Sequence, residues 1–349
     1  MNKEIIDMRN KLLSISNKNN NEFNKENYIN TIKSNDFDLT IIVPCYNTGK
    51  YVAECIDSII NQKTKYSFEI VAVNDGSIDD TKQVLDRYKD KIRIIHKLQN
   101  EGVSKARNEA LKFSLGKYVM FVDSDDLLPK GAIEKLINAS DNFKYDLVEG
   151  AMCNFKKIFG IQIEKIQKKK QGIFNNFKEA KLQGYPFMKI IKREKFENVL
   201  FPDFWYEDTI LTYWIFSKCN RIKVISDLVY QRRLSETSIF RNADCTEIKR
   251  IDNYWIMEEI FNYINEYKSI NKALLYEQTV KSQMSRLYKH RNLCMHYEIR
   301  FTIFTLFSEM LIKEYPKPIE CKDKDIIVLD ELIRNKKFEE FEKKIKEIF

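Results

Sequence analysis

Three aspartates fall within four residues at Asp123-Ser124-Asp125-Asp126, directly after the apolar run YVMFV. Carboxylates this close repel one another unless a cation sits among them. Hard divalent ions such as Mg²⁺ or Mn²⁺ favour such oxygen donors and often bridge to a diphosphate. The competing reading is a group of helix N-terminal acids before LPKGAIEKL, favoured by the helix dipole. Two other polar stretches also follow apolar runs: Pro44-Cys45-Tyr46-Asn47 after LTIIV, and Asn74-Asp75-Gly76-Ser77 after FEIVAV. A flat aromatic ring can stack on a nucleobase, and a carboxylate can accept from a ring N–H or from ribose hydroxyls. The alternative is that Tyr46 belongs to the core and Asp75 closes an Asx turn.

These stretches need a scaffold that brings them together. LTIIV, FEIVAV, IRII and YVMFV are short β-rich runs, separated by segments of helical periodicity. Strands alternating with helices imply a parallel sheet covered on its faces. Ligands of such sheets bind beyond the carboxyl ends of the strands, where all three polar stretches fall. A helix is expected from about Lys50 to Gln62, with Val52, Cys55, Ile56, Ile59 and Ile60 on one side. Ser77 and Asp80 read as a capping box for a second helix over TKQVLDRYK. The basic segment KKIFGIQIEKIQKKK, near 156–170, reads as an exposed hairpin or loop. After about Ser238 strand signals stop, and Phe338, Phe341, Ile345 and Ile348 repeat at helical spacing. The expected organisation is a helical appendage over 1–36, an α/β domain over 37–240 and a helical region over 241–349.

The chain has 349 residues and 44% hydrophobic content, enough for a full core. Lys and Arg outnumber Asp and Glu by 59 to 51, a dispersed excess of +8 that does not argue for nucleic-acid binding. It is compatible with work at an anionic membrane surface. Seven cysteines without C-x-x-C spacing suggest reduced thiols, neither a zinc site nor a disulfide framework. No stretch has the pattern of a secretory signal or of an 18-residue apolar span. The expectation is a cytoplasmic protein, with peripheral contact at the inner membrane face left open.

VPCYNTGKYVAECIDSIINQ, EIVAVNDGSIDDT, NEGVSKARNEAL and GKYVMFVDSDDLLPKGAIEKL occur in the order and spacing of family 2 glycosyltransferases. The resemblance covers roughly residues 38–240 and implies the GT-A fold, a Rossmann-like α/β domain. It also implies an inverting transfer from a nucleotide-sugar, most often a UDP-sugar, to a hydroxyl of a glycan, lipid-linked or protein acceptor. Carried over, the resemblance sets Pro44, Tyr46 and Asn47 along the nucleotide pocket, with Tyr46 against the base and Asp75 reading it. Arg107 would lie near the nucleotide, unless it pairs with an acid on a solvated helix face. Asp123 would face the ribose and, with Ser124, contact the donor. Asp125, with Asp123, would hold the divalent ion.

In the same family an acidic pair at the distance of Glu207-Asp208 supplies the catalytic base, here Asp208 with Glu207 in support. Taken without context, that pair would read as helix N-terminal charges before TILTYWIF. Arg232, in YQRRLSETS, would meet developing diphosphate charge. Members typically read V-D-D-G-S where this chain has Asn74 before Asp75. Many carry a histidine ligand near Arg232, whereas this chain has only His96, His290 and His296, so the third metal ligand stays open. His96 and His290 read as structural and surface residues. A nucleotidyltransferase of similar layout would show a glycine-rich basic loop where VPCYNTGKY stands. The helical region after 240 is expected to serve the acceptor side, a second subunit or a membrane surface.

Overall fold

The computed structural model describes residues 3–16, 34–158, 161–167, 169–199, 201–203, 208–234, 247–263, 272–280 and 296–348. The chain divides into two compact units. A sheet unit comprises Glu26–Phe201 and Lys218–Asn242, and a helical unit comprises Met1–Lys25, Pro202–Ser217 and Ala243–Phe349. This division differs from the three-part expectation in two places. Residues 1–25 group with the C-terminal helices, and residues 202–217, which contain Asp208, join them.

The sheet unit begins as anticipated. Strands β1 (Phe37–Cys45), β2 (Phe68–Asn74), β3 (Arg93–His96) and β4 (Gly116–Phe121) are parallel and lie in the order β3-β2-β1-β4. Helices α2 (Gly49–Ile60), α3 (Thr81–Asp86) and α4 (Val103–Lys112) connect them. Ile41, Ile42 and Val43 are all fully buried, which explains why β1 reads as an unbroken apolar run and not as an alternating one. The chain steps outward from β1 to β3 and then returns to the other side of β1 as β4. That reversal opens a crevice between the carboxyl ends of β1 and β4.

Five further strands extend the sheet unit, and only the hairpin among them was anticipated. After α5 (Ala132–Ala139), β5 (Leu147–Ile158) and β6 (Ile161–Gln167) form the anticipated basic hairpin, but β5 is embedded in the sheet. The strands β7 (Gly172–Phe174), β8 (Lys189–Lys192) and β9 (Ile222–Arg233) complete the order β4-β8-β5-β9-β7. β8 runs antiparallel to β4 and to β5, so β5 and β9 point the same way as β4. The carboxyl ends of β4, β5 and β9 and the amino end of β8 therefore share one edge of the sheet.

The expected capping box at Ser77 and Asp80 does not form, because Asp80 makes no side-chain cap. Asp79 takes that place, accepting from the Thr81 N–H at 3.0 Å and the Gly49 N–H at 3.0 Å, while Ser77 Oγ accepts from Asn47 N–H.

In the helical unit, α1 (Lys3–Ser16) is not an appendage. Arg9 forms a fork of hydrogen bonds at 2.8 and 2.6 Å to Glu258 of α6 (Glu247–Tyr263), and Trp255 Nε1–H donates to Ser16 Oγ. The remaining helices are α7 (Lys272–Gln278), α8 (Tyr297–Glu314), α9 (Lys324–Arg334) and α10 (Phe338–Ile348). Phe338, Phe341 and Ile345 bury the stripe anticipated on α10. Among the described residues, no helix is long and apolar enough to cross a membrane.

Candidate active site

The loop after β1 sits on one lip of the crevice. Asn47 adopts φ 52°, a left-handed conformation that asparagine tolerates better than most residues. Its Oδ1 accepts from Ile78 N–H at 2.9 Å, tying this loop to the one after β2. Tyr46 is 44% exposed, which removes the core alternative and leaves its ring available to a ligand. Gly76, at φ 65°, is required: a Cβ there would lie 2.2 Å from the Gln99 carbonyl carbon.

Asp75 is almost fully buried and richly partnered. It accepts from Gly102 N–H at 2.7 Å and Glu101 N–H at 3.2 Å at the start of α4, and it pairs with Lys97 at 2.8 Å. Lys97 in turn pairs with Glu101, and its amine is held protonated: burial opposes this, but Asp75 and Glu101 outweigh it. The polar unit facing the crevice here is therefore an Asp75–Lys97 pair and not a lone carboxylate. Asn74, in the place of the first family aspartate, lies within 3.2 Å of His96 Nδ1, and His96 Nε2 lies 3.0 Å from Asp86. His290 lies outside the described residues, and His296 precedes α8 as its N-cap.

The other lip is the acid cluster after β4. Its members have different duties. Asp126 is buried, accepts from the Tyr230 hydroxyl at 2.7 Å and from Arg233 N–H at 2.7 Å, and so serves the fold. Burial pushes its carboxyl well above the usual range, and the charges of Asp123 and Asp125 push the same way. Burial likewise raises Asp125, opposed by the Arg233 and Arg232 guanidinium charges. Asp123 keeps about a third of its side chain exposed and lies 3.7 Å from Arg107. Ser124 is buried between them.

These acids fit a divalent cation. Crowded carboxyls gain from positive charge placed among them, and with Asp126 turned to Tyr230 and Arg233, Asp123 and Asp125 are the candidate ligands. Among the described residues, no group of three His, Cys, Asp or Glu side chains converges. Two carboxylates suit an ion such as Mg²⁺ that completes its octahedron with water and phosphate oxygens.

Arg107 is buried, not solvated. Its guanidinium lies 5.9 Å from the Phe121 ring and 5.8 Å from the Phe201 ring, with the Asp123 contact at its tip. The neighbouring Asn108 mimics a strand partner: its amide donates to Phe201 O and accepts from Phe201 N–H, both at 2.9 Å.

Arg233 and Tyr230 carry roles that spacing alone did not reveal. The bridge between Leu127 and Gln231 draws the acid loop alongside β9. Arg233 Nε donates to Asp125 O at 2.7 Å, and its other end pairs with Glu54 at 2.8 Å. Tyr230, fully buried, also accepts from Asp123 N–H at 3.1 Å. Arg232 lies against Tyr185, with Cζ 5.9 Å from the centre of that ring, and its charge still reaches Asp125.

Asp208, in the helical unit, is half-buried and precedes the π-helical turn Leu211–Ile215, with its carbonyl accepting from Leu211 N–H at 3.0 Å. Turns of this kind recur at functional positions. Glu207, with Trp205 and Tyr206, lies outside the described residues.

Comparison with known proteins agrees with this architecture. Residues 40–200 match the model of glycosyl transferase family 2. Glycosyltransferase GlyG of Streptococcus pneumoniae is 25% identical over 292 residues, covering 75% of this chain and 96% of that protein. The poly(ribitol-phosphate) beta-N-acetylglucosaminyltransferase TarS of Staphylococcus aureus is 29% identical over 206 residues, covering 55% of this chain and 34% of that protein. The crystal structure of TarS 1–349 in complex with UDP-GlcNAc superposes with a TM-score of 0.67 at 22% identity, covering 88% of this chain and 90% of that one. The sheet with its crevice accordingly has the GT-A fold, and residues 40–200 of this chain are similar to the glycosyl transferase family 2 domain.

Proposed function

We propose that this chain transfers a sugar from a UDP-sugar to a hydroxyl of a cell-surface glycan or polysaccharide acceptor, with inversion at the anomeric carbon. The observation that carries this reading is the placement of Asp123 and Asp125 on one lip of the crevice, opposite the exposed Tyr46, within a domain similar to that of family 2. TarS, which shares the fold, has been crystallised with UDP-GlcNAc, and its name states a polyol-phosphate acceptor; both support a UDP-sugar donor and a cell-surface product.

Tyr46 stacks on the base, while Asp75 and Lys97 offer an acceptor and a donor to its edge. Pro44 and Asn47 shape the pocket wall, and Arg107 holds Asp123 toward the ribose with Ser124 behind it. Asp123 and Asp125 would hold Mg²⁺ or Mn²⁺, which supplies Lewis-acid stabilisation to the departing diphosphate. Asp208 accepts the proton of the acceptor hydroxyl as it attacks, with Glu207 in support, because an unaided hydroxyl is a poor nucleophile. The test is a hydrolysis and binding screen of nucleotide-sugars with and without Mn²⁺. Metal-dependent turnover of a UDP-sugar is expected. Preference for another nucleotide, or turnover indifferent to chelation, would overturn the donor and metal assignments respectively.

A further inference from the structure

Strand alternation sends Arg232 and Arg233 to opposite sides of β9. Arg233 is committed to Glu54 and to the Asp125 carbonyl. Arg232 is half-buried against Tyr185, and no carboxylate among the described residues pairs with it. Asn154, its register partner on β5, shares that face. The Asn154 Oδ1 is buried and accepts no hydrogen bond among the described residues. Among the described residues this face therefore offers a guanidinium that forms no ion pair and a buried acceptor that no donor fills, two groups a ligand could complete together.

The third member of this face is held with unusual rigidity. Tyr185 stacks on Phe187 at 5.0 Å and 8°, and Phe187 stacks on Tyr230 at 4.6 Å and 12°. Exposure rises along the series, from buried Tyr230 and Phe187 to half-buried Tyr185. From below, the Lys189 ammonium donates to Tyr185 O at 2.6 Å and Gln183 O at 2.7 Å. Lys189 and its partner Glu149, 2.9 Å away, are both at zero exposure, and Lys169 closes the group from the other carboxylate oxygen. A buried ion pair of this kind gains little stability over apolar side chains of the same size. What it supplies here is a fixed loop, and the product of that loop is one face of the Tyr185 ring beside Arg232.

Resting on the transferase reading above, we infer that Tyr185, Arg232 and Asn154 form an acceptor subsite for a sugar or polyol that carries an adjacent phosphate. The guanidinium fork matches a phosphate bidentately, the aromatic face packs against C–H groups, and the amide oxygen accepts from a hydroxyl. The subsite lies two stacked rings from Asp126. That is close enough for the same acceptor to present a hydroxyl at the crevice, because the ring stack runs on to Tyr230, which donates to Asp126 of the acid loop, and the Arg232 charge reaches Asp125.

The experiment titrates the full chain, saturated with UDP and Mg²⁺, with glucose 6-phosphate and in parallel with glucose, by calorimetry. Glucose 6-phosphate is expected to bind at least tenfold more tightly than glucose. Arg232→Gln should abolish that difference, and Tyr185→Ala should weaken both sugars, while Tyr185→Phe, which keeps the ring, restores wild-type binding. Equal binding of the two sugars by the wild type overturns the subsite. So does an Arg232→Gln variant that loses UDP and keeps glucose 6-phosphate, because that pattern assigns Arg232 to the donor diphosphate. Absence of UDP binding by the wild type would instead refute the donor reading; the sugar comparison, repeated without UDP, then judges the subsite by itself.

Discussion

Tyr230→Phe removes a single oxygen from the middle of the acid loop's support and leaves the ring stack intact. In the native chain that oxygen donates to Asp126 at 2.7 Å and accepts from Asp123 N–H at 3.1 Å, at a fully buried position. A hydrogen bond to a carboxylate contributes about 1.5–3 kcal/mol, and a buried N–H left without its partner costs about 1–3 kcal/mol. Part of this is recovered, because Asp126 keeps Arg233 N–H and the loop keeps its bridge through Leu127 and Gln231. The net expectation is a loss of about 3 kcal/mol. For a unit of this size that lowers the melting temperature by about 6–12 °C. The loop's freedom should also weaken UDP binding in the presence of Mg²⁺ by about tenfold, equivalent to ~1.4 kcal/mol. Urea unfolding followed by circular dichroism measures the first quantity and calorimetric titration the second. A variant within 0.5 kcal/mol of wild type, roughly the spread of neutral surface changes, and with unchanged UDP affinity, would refute the claim that Tyr230 holds the acid loop.

Asp125→Ala should abolish the metal dependence of UDP-sugar binding without unfolding the chain; identical affinity with and without Mn²⁺ in wild type and variant alike would sink the metal assignment. Asp208→Asn should retain UDP-sugar binding and lose transfer by about 10²–10⁴; near wild-type transfer moves the base elsewhere, first to Glu207. Lys218 offers a pH test, since burial lowers its amine from 10.5 to about 8 while it donates to the Lys195 and Glu197 carbonyls. The unfolded chain binds more protons between these two values, so the penalty of burying the ammonium is full below pH 8 and fades toward pH 10.5. Lys218→Met should therefore stabilise the chain by up to about 3 kcal/mol at pH 7 and by little at pH 10.5; a gain independent of pH would show that charge burial is not the cause.

How far the sequence could be read depended on where each element gets its partners. β1, β2 and β4 are parallel and covered on both faces, so their apolar runs announce both strand and edge, and the residues that follow them are the site candidates. β5 and β8 are no less buried, yet Glu149 and Lys189 interrupt them with charges that look solvent-facing. Those charges pair with each other across a register that no local pattern encodes, and Lys169 and the Gln183 and Tyr185 carbonyls complete the group. The capping error has the same origin. Ser77 and Asp80 have the right spacing, but the orphan N–H groups of α3 and α2 are met by Asp79, whose second partner, Gly49, is 30 residues away.

The acid cluster shows why spacing finds a site and does not apportion it. Asp123, Asp125 and Asp126 are equivalent in the string, and only the approach of β9 separates them. Tyr230 and Arg233, more than 100 residues distant, engage the Asp126 carboxylate and grip the carbonyl of Asp125, while Asp123 turns to Arg107. The two adjacent arginines are divided by the same strand. Alternation sends Arg233 to Glu54 and the Asp125 carbonyl, and puts Arg232 on the face of Tyr230, against Tyr185. A lysine in place of either would keep the charge and lose a different function. At 233 it would lose the fork that spans Glu54 and the Asp125 carbonyl. At 232 it would lose the planar group that lies over an aromatic ring and meets a phosphate bidentately.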